Sequence, residues 1–129
     1  MRESERQFRY IFIETENFGR RGGHLSESER QRLYFDLMLG HGETIASTGG
    51  LKKMICGKAG LHTRSGRHIV FAEYSYRDVN TRFFLLLARF PESVVQNLSE
   101  AERKQLKKLK QEADYYIEQR YEELFDESF

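Results

Sequence analysis

The sequence contains very little of several residue types that often define a protein class. Its 129 residues include one cysteine, one proline and no tryptophan. The single cysteine, Cys56, excludes an internal disulfide framework, which favours a reducing compartment. With no histidine or acidic residue at ligand spacing around it, Cys56 cannot anchor a zinc site. We interpret Cys56 as a strand residue of the core, and we expect no metal and a cytoplasmic protein.

Long hydrophobic runs are also absent. The longest one, residues 83–88, has the length of a β-strand, so no membrane-spanning helix is expected. The charged start, MRESERQFR, lacks the apolar stretch of a secretory signal. A Gly-x4-Gly-Lys-Ser/Thr spacing is missing, which leaves nucleoside triphosphate binding unsupported. With 39% hydrophobic and 32% charged residues, the chain is expected to form a single globular domain without a cofactor.

Basic residues are concentrated in the middle of the chain. From Ser47 to Arg89 there are eight Lys or Arg and two acidic residues, a local charge of +6 in a chain whose formal total is +1. Residues 1–46 carry −1 and residues 90–129 carry −4. Phe and Tyr alternate with the central cations, and cations beside aromatic rings suit a polyanion with stackable bases, so RNA is the leading ligand class. The alternative, that these cations only keep a sheet face soluble, stays open.

Capping, turn and periodicity signals divide the chain into six elements. Ser26 and Glu29, like Ser99 and Glu102, have the spacing of a capping box at the start of a helix. The predicted elements are a strand at 8–13 buried on both faces, a loop at 17–24, a helix at 26–39, a strand at 51–56, a basic loop at 57–66, strands at 68–76 and 82–89 joined by a turn at 77–80, and a long helix from 99. The order β-α-β-β-β-α predicts an α+β fold, in which an N-terminal helix and a long C-terminal helix pack on a small curved antiparallel sheet.

The last predicted helix changes charge along its length. Residues 111–129 hold seven acids and only Arg120, which gives this part a charge of −6. We therefore divide the chain into a domain at 1–110 and an acidic helical extension at 111–129. The apolar stripe of the helix continues from Leu106 to Leu124, so the extension is expected to pack on the body or on a second copy as a homodimer.

Several strings resemble the RelE/ParE superfamily of toxin–antitoxin toxins, and most closely its HigB-like branch. The matching strings are Phe12-Ile13-Glu14-Thr15, Ser47-Thr48-Gly49-Gly50-Leu51-Lys52-Lys53, Gly57-Lys58-Ala59-Gly60, Arg64-Ser65-Gly66, His68-Ile69-Val70-Phe71, Phe83-Phe84-Leu85-Leu86-Leu87 and Leu98-Ser99-Glu100-Ala101-Glu102. They cover about residues 8–110, and the most specific part is the turn and strand at 48–53 followed by a basic glycine loop. The chain departs from the family at Ile55, where an arginine is usual, at His68, and at Arg89-Phe90-Pro91, which replaces a Tyr-x-Lys.

The resemblance implies a toxin that cleaves messenger RNA on the ribosome without a metal and is held inactive by a cognate antitoxin of helix-turn-helix type. In that chemistry a ribose 2′-OH attacks its own phosphate, which requires a base and cations that stabilise the phosphate charge. The implied catalytic residues are Arg64, Arg67, His68 and Arg89. The implied RNA-binding residues are Lys52, Lys53, Lys58, Tyr74, Tyr76 and Arg82.

Each of these roles has an alternative. Histidine is the side chain whose ordinary pKa suits proton transfer near neutral pH, which makes His68 a candidate base, and it is at least as well explained as a structural histidine of an apolar strand. Strand alternation sends Lys52 and Lys53 to opposite faces of the sheet. The remaining histidines, His24, His41 and His62, receive no role. Two other functions stay open for the whole chain: a catalytically degenerate module that binds RNA, the ribosome or a protein, and a ParE-like inhibitor of DNA gyrase.

Overall fold

The fold is taken from a computed structural model of the chain. The structure describes residues 8–20, 25–55, 68–90 and 97–127. The elements are β1 (Arg9–Glu14), α1 (Glu16–Arg20), α2 (Glu27–Met38), β2 (Glu43–Thr44), β3 (Lys52–Ile55), β4 (His68–Tyr76), β5 (Thr81–Phe90) and α3 (Glu100–Glu127). The predicted α+β class and the order of the main elements are confirmed. The predicted strand position of Cys56 lies outside the described residues.

One sheet forms the centre of the fold, with strand order β1-β5-β4-β3-β2. All neighbours pair antiparallel except β1 and β5, which run parallel. The prediction of an entirely antiparallel sheet is therefore wrong at this edge, because the chain returns beside β1 only after the two helices and three strands between them. The prediction that the first strand is buried on both faces is also wrong. Most residues of β1 are half-buried, because β1 is an edge strand.

The sheet separates two hydrophobic clusters. On one face, which we call the α2 face, α1 and α2 supply residues that pack on Phe71 and Phe84. This cluster contains Phe18, Leu25, Leu33, Leu37, Met54, Ile69, Phe71, Phe84 and Leu86. On the opposite face, the α3 face, Leu106, Ala113 and Ile117 of α3 pack on Val70, Ala72, Phe83, Leu85, Leu87 and Ala88. The molecule therefore has three layers, helix, sheet and helix.

The helix α2 begins at the predicted capping box. The Ser26 hydroxyl accepts a bond from the Glu29 amide at 3.1 Å, and the Ser26 amide donates to the Glu29 carboxylate at 2.9 Å. Beyond the helix, Gly42 has a φ of +143°, and a Cβ there would lie 2.9 Å from the ring of Phe71. A glycine is required at this position because the chain passes against the sheet in a conformation that other residues rarely adopt.

A β-bulge shifts the alternation of β5. Val70 pairs with Ala88 and Phe71 pairs with Leu86, so Leu87 is an additional residue in β5. Both Leu87 and Ala88 then belong to the α3-face cluster. Because the alternation resumes one residue later, Arg89 lies on the α2 face, where its guanidinium contacts Phe18.

The region around α1 differs from the predicted loop at 17–24. Residues 16–20 form the short helix α1, which buries Phe18 against the sheet, while residues 21–24 lie outside the described part. Thr15 fixes the start of this helix, since its hydroxyl donates to the Leu86 carbonyl at 3.0 Å and accepts from the Phe18 amide.

The helix α3 runs from its own capping box at Ser99 and Glu102 without a break across residue 110. Ala113 and Ile117, both from the predicted acidic extension, are buried in the same cluster as Leu106. Within the described residues, no helix is long and apolar enough to cross a membrane.

Candidate functional site

A groove lies between the C-terminal half of α2 and the strands β2, β3 and β4. Its volume is about 710 Å³. Among the described residues it is lined by Arg32, Phe35, Asp36, Leu39, His41, Gly42, Glu43, Lys53, Met54 and His68. We call this cavity the α2–β3 groove.

The lining combines three kinds of chemistry. Its charged residues are Arg32, Asp36, Glu43 and Lys53, two of each sign, and the Arg32 Nε lies 3.6 Å from the Asp36 carboxylate. His41 and His68 are histidines, the residue type best suited to proton transfer near neutral pH. Phe35 and Leu39 line the groove although they are 55% and 58% exposed, so an apolar ligand surface could pack on them. Such a lining offers a ligand polar groups of both signs beside an apolar rim.

His68 is the first residue of β4 and borders the groove. It is 5% exposed and pairs with Ile55 on one side and Phe90 on the other. Strand alternation puts its side chain on the same face of the sheet as Val70, which is the α3 face. The structure therefore places the predicted base beside the cavity, with most of the residue covered.

In the sequence, the basic segment 56–67 follows β3 and precedes β4. It separates Ile55 from His68, which are cross-strand partners. The segment contains Lys58, Arg64 and Arg67 and has no acidic residue. The predicted roles of these three cations lie outside the described residues.

The structure separates the two lysines of β3, as strand alternation predicts. Lys52 pairs with Phe71 of the α2 face, whereas Lys53 pairs with Val70 of the α3 face. The Lys52 ammonium lies 3.1 Å from the Glu73 carboxylate, so its charge is already shared. Lys53 borders the groove, but this alternation puts its side chain on the opposite face of the sheet.

The predicted catalytic residue Arg89 is buried. It is 5% exposed, its Nε donates to the Phe18 carbonyl at 3.4 Å, and its guanidinium lies 4.9 Å from the centre of the Phe18 ring. It shares the α2 face with Lys52, but it packs against α1. The bulge in β5 and the helix α1 together enclose this arginine in the core.

The charge of Arg89 also lowers the pKa of Glu14, a residue that the sequence analysis did not identify as a site. Glu14, at the end of β1, accepts bonds from the Arg30 guanidinium at 2.6 and 3.1 Å and from the Tyr34 hydroxyl. These bonds from Arg30, and the nearby charge of Arg89, hold the pKa of Glu14 below its ordinary value. Burial and the bond to Glu14 raise the pKa of Tyr34 to about 12. The cluster ties β1 to α2 as an ionic network.

The remaining predicted RNA-binding residues lie far from the groove. Arg82 is seven residues before Arg89 on β5, a distance of about 23 Å along an extended strand. Its guanidinium lies 4.5 Å from the ring of Phe8. Tyr74 and Tyr76 occupy the same half of the sheet, since Tyr76 pairs with Thr81.

Both tyrosines are engaged by α3. The Tyr74 hydroxyl donates to Asp114 at 2.6 Å, and Lys110 lies 5.1 Å from the centre of its ring. Tyr76 stacks on Tyr121 with ring centres 4.3 Å apart. Burial raises the pKa of both phenols, and the bond to Asp114 raises that of Tyr74 further. Base stacking on these rings stays a prediction, and it requires α3 to leave the sheet.

Sequence reasoning missed half of the groove. The α2 helix and its C-cap supply Arg32, Phe35, Asp36 and Leu39. His41 comes directly after them, and the sequence analysis gave it no role. One signal was available, because Phe35 and Leu39 fall four residues apart on the side of α2 away from the buried Leu33 and Leu37. Among residues 8–20, 25–55, 68–90 and 97–127, no cluster of three or more His, Cys, Asp or Glu could hold a metal ion.

Comparison of the sequence with models of known protein families gives no match.

Proposed function

We propose that the α2–β3 groove binds single-stranded RNA and that the protein is a toxin which cleaves messenger RNA on the ribosome. The observation that carries the proposal is the position of His68. It borders a groove lined also by Arg32, Lys53 and His41, and in the sequence it directly follows the basic segment 56–67. The lining suits phosphates and flat bases together, which is the combination that single-stranded RNA presents.

The proposed chemistry is attack of a ribose 2′-OH on the adjacent phosphate, which forms a 2′,3′-cyclic phosphate and breaks the bond from phosphorus to the 5′-oxygen of the next nucleotide. That oxygen leaves with a proton taken up from water. His68 takes the proton of the 2′-OH as general base. Arg64 and Arg67 stabilise the charge that develops on the phosphate, since a guanidinium can bind two phosphate oxygens at once. Arg32 holds the flanking backbone, and a base rests on Phe35 or Leu39. Buried Arg89 orients α1 through Phe18 and does not contact the phosphate.

The partners in this proposal are the ribosome, which presents the message, and a cognate antitoxin of helix-turn-helix type, which blocks the groove. The apolar rim residues Phe35, Met38 and Leu39 are exposed at helical spacing on α2. An inhibitor that covers this rim would close the groove without having to unfold the protein. A small helix-turn-helix reading frame beside the gene would support the pairing.

The test is expression of the protein without a partner, followed by primer extension on total RNA. Wild type is expected to arrest growth and to produce new RNA ends within translated codons. His68→Gln and Arg64→Ala/Arg67→Ala are expected to remove those ends. Arg77→Ala is the control, because it removes an exposed cation in the β4–β5 turn, away from the groove. Melting curves of each purified variant separate loss of activity from loss of fold.

A second candidate is a non-catalytic RNA- or protein-binding module, which the burial of His68 favours. A buried imidazole that never reaches the RNA would leave binding intact and supply no base. Intact messages and normal growth would support this module. Intact messages with an SOS response would instead indicate inhibition of DNA gyrase.

A further inference from the structure

The outer face of α3, opposite the sheet, has an unusual arrangement of side chains. Its centre is Tyr115, which is 66% exposed, although it is one of the largest side chains of the helix. At about 100° per residue, four charged side chains lie within about 20° of Tyr115 around the helix axis. They are Lys104, Lys108, Glu122 and Asp126, and all four are exposed. We call these five residues the outer face.

The charges of the outer face are symmetric in position and opposite in sign. Lys108 precedes Tyr115 by seven residues and Glu122 follows it by seven. Lys104 and Asp126 are each eleven residues away on the two sides. With a rise of about 1.5 Å per residue, these pairs lie about 10 and 16 Å from Tyr115. The neutral Gln111 and Gln119 are four residues away on either side.

This order of charges does not stabilise the helix itself. Acidic residues near a helix C-terminus oppose the macrodipole, whereas cations there would favour it. The last turn of α3 has no basic residue, and residues 111–127 contain seven acids. The packing of α3 on the sheet does not use the outer face either, since the buried residues Leu106, Ala113 and Ile117 lie on the other side. The pattern is therefore available to a partner.

We propose that the outer face binds a second copy of this chain, with the two α3 helices antiparallel and a two-fold axis at Tyr115. In that arrangement Lys104 and Lys108 of each chain face Asp126 and Glu122 of the other. The two Tyr115 rings meet at the axis, and the glutamines pair beside them. A symmetric interface requires that one surface complement itself, and the mirrored charges around Tyr115 meet this requirement.

The size of the face predicts a weak and salt-sensitive dimer. From Lys104 to Asp126 the helix spans about 33 Å, and with a width of about 10 Å the projected contact is about 330 Å² per chain. A stable interface of standard size buries about 800 Å² per partner. The association is expected at high protein concentration and low salt, and it is expected to weaken in about 1 M salt, where the screening length falls to about 3 Å.

Sedimentation equilibrium on the full chain, over a range of concentrations and at two salt concentrations, tests the proposal. Wild type is expected to dimerise reversibly at low salt. Lys104→Glu/Lys108→Glu and Glu122→Lys/Asp126→Lys are each expected to be monomeric, because like charges then face each other. An equimolar mixture of the two variants is expected to form a heterodimer. The variant with all four changes keeps the net charge of wild type and is expected to dimerise again.

Circular dichroism of each variant checks that the helix content is unchanged. A wild type that stays monomeric at low salt and high concentration would overturn the proposal. A dimer that survives both double variants would overturn it as well, because the contact would then lie on another surface. Neither result bears on RNA cleavage, since the outer face and the α2–β3 groove lie on opposite sides of the sheet.

Discussion

At the scale of single residues, this protein pairs half-buried charges on its α2 face. Glu14 binds Arg30 through two hydrogen bonds and Tyr34 through a third, and the Arg89 charge lies close enough to lower its pKa. Because the edge strand β1 contributes Glu14 and α2 contributes Arg30 and Tyr34, this network joins two elements that are far apart in sequence. The ring of Tyr34 also stacks on Phe12 of β1, with centres 4.1 Å apart.

The pKa of Glu14 leads to a prediction about stability. A carboxyl whose pKa is lower in the folded than in the unfolded protein stabilises the fold above its ordinary pKa, here 4.5, and loses that contribution as the pH falls through the folded value. Glu14→Gln is therefore expected to reduce the free energy of unfolding by about 1–2 kcal/mol at pH 7. The difference from wild type should shrink as the pH falls below about 4. Urea titrations at pH 7 and pH 3 measure both values.

The control for this prediction is Glu112→Gln, a change at an exposed carboxyl of α3. It is expected to leave the unfolding free energy within about 0.5 kcal/mol of wild type at both pH values. An equal loss for Glu14→Gln at pH 7 and pH 3 would mean that the side chain acts through packing and not through its charge.

At the scale of elements, the features that depend on residues close together in the sequence were predicted correctly. The bounds of α2 followed from the capping box at Ser26, and β4 matches its predicted range of 68–76. The turn at 77–80 is also confirmed, with Asn80 at a φ of +48° and its amide donating to the Arg77 carbonyl. Each of these features depends on residues that are only a few positions apart in the sequence, such as alternating apolar residues in a strand or turn-forming residues.

The errors arose where distant segments meet. The parallel pairing of β1 and β5 depends on the return path of the chain, and the burial of Arg89 depends on a bulge and on α1. The groove likewise needs side chains from α2 and from three strands. Composition indicated a basic and aromatic ligand surface within residues 47–89, whereas half of the groove comes from α2 and depends on how that helix packs against the strands.

The capping box of α2 gives a prediction at this scale. Ser26→Ala removes the acceptor for the Glu29 amide and is expected to cost about 1 kcal/mol of unfolding free energy. Hydrogen exchange should become faster in the first turn of α2 and stay unchanged in the first turn of α3, which serves as the internal control. Ser26→Thr keeps the hydroxyl and should stay close to wild type. Unchanged exchange in Ser26→Ala would show that tertiary contacts alone hold this turn.

At the scale of the whole molecule, α3 is the third layer of the fold and packs on the face of the sheet opposite α2. The division into a domain at 1–110 and an extension at 111–129 does not match a break in the packing, since Ala113 and Ile117 fill the same cluster as Leu106. Removal of residues 111–129 would uncover the rings of Tyr74 and Tyr76 together with part of this cluster. We expect such a truncated chain to lose cooperative folding, so single substitutions test the role of α3 more cleanly.

Ile117 and Tyr115 form a matched pair for this purpose, because they lie two residues apart on opposite sides of α3. Ile117 is fully buried, whereas Tyr115 is 66% exposed. Ile117→Ala is expected to lower the free energy of unfolding by about 3 kcal/mol, from lost burial and the cavity left behind. Tyr115→Ala should cost less than about 0.5 kcal/mol in a monomeric sample at low concentration, because no core contact is removed. Thermal or urea unfolding of the two variants gives both numbers. Similar losses at the two sites would mean that Tyr115 also has a partner within the monomer, and a negligible loss at Ile117 would mean that α3 does not pack on the sheet in solution.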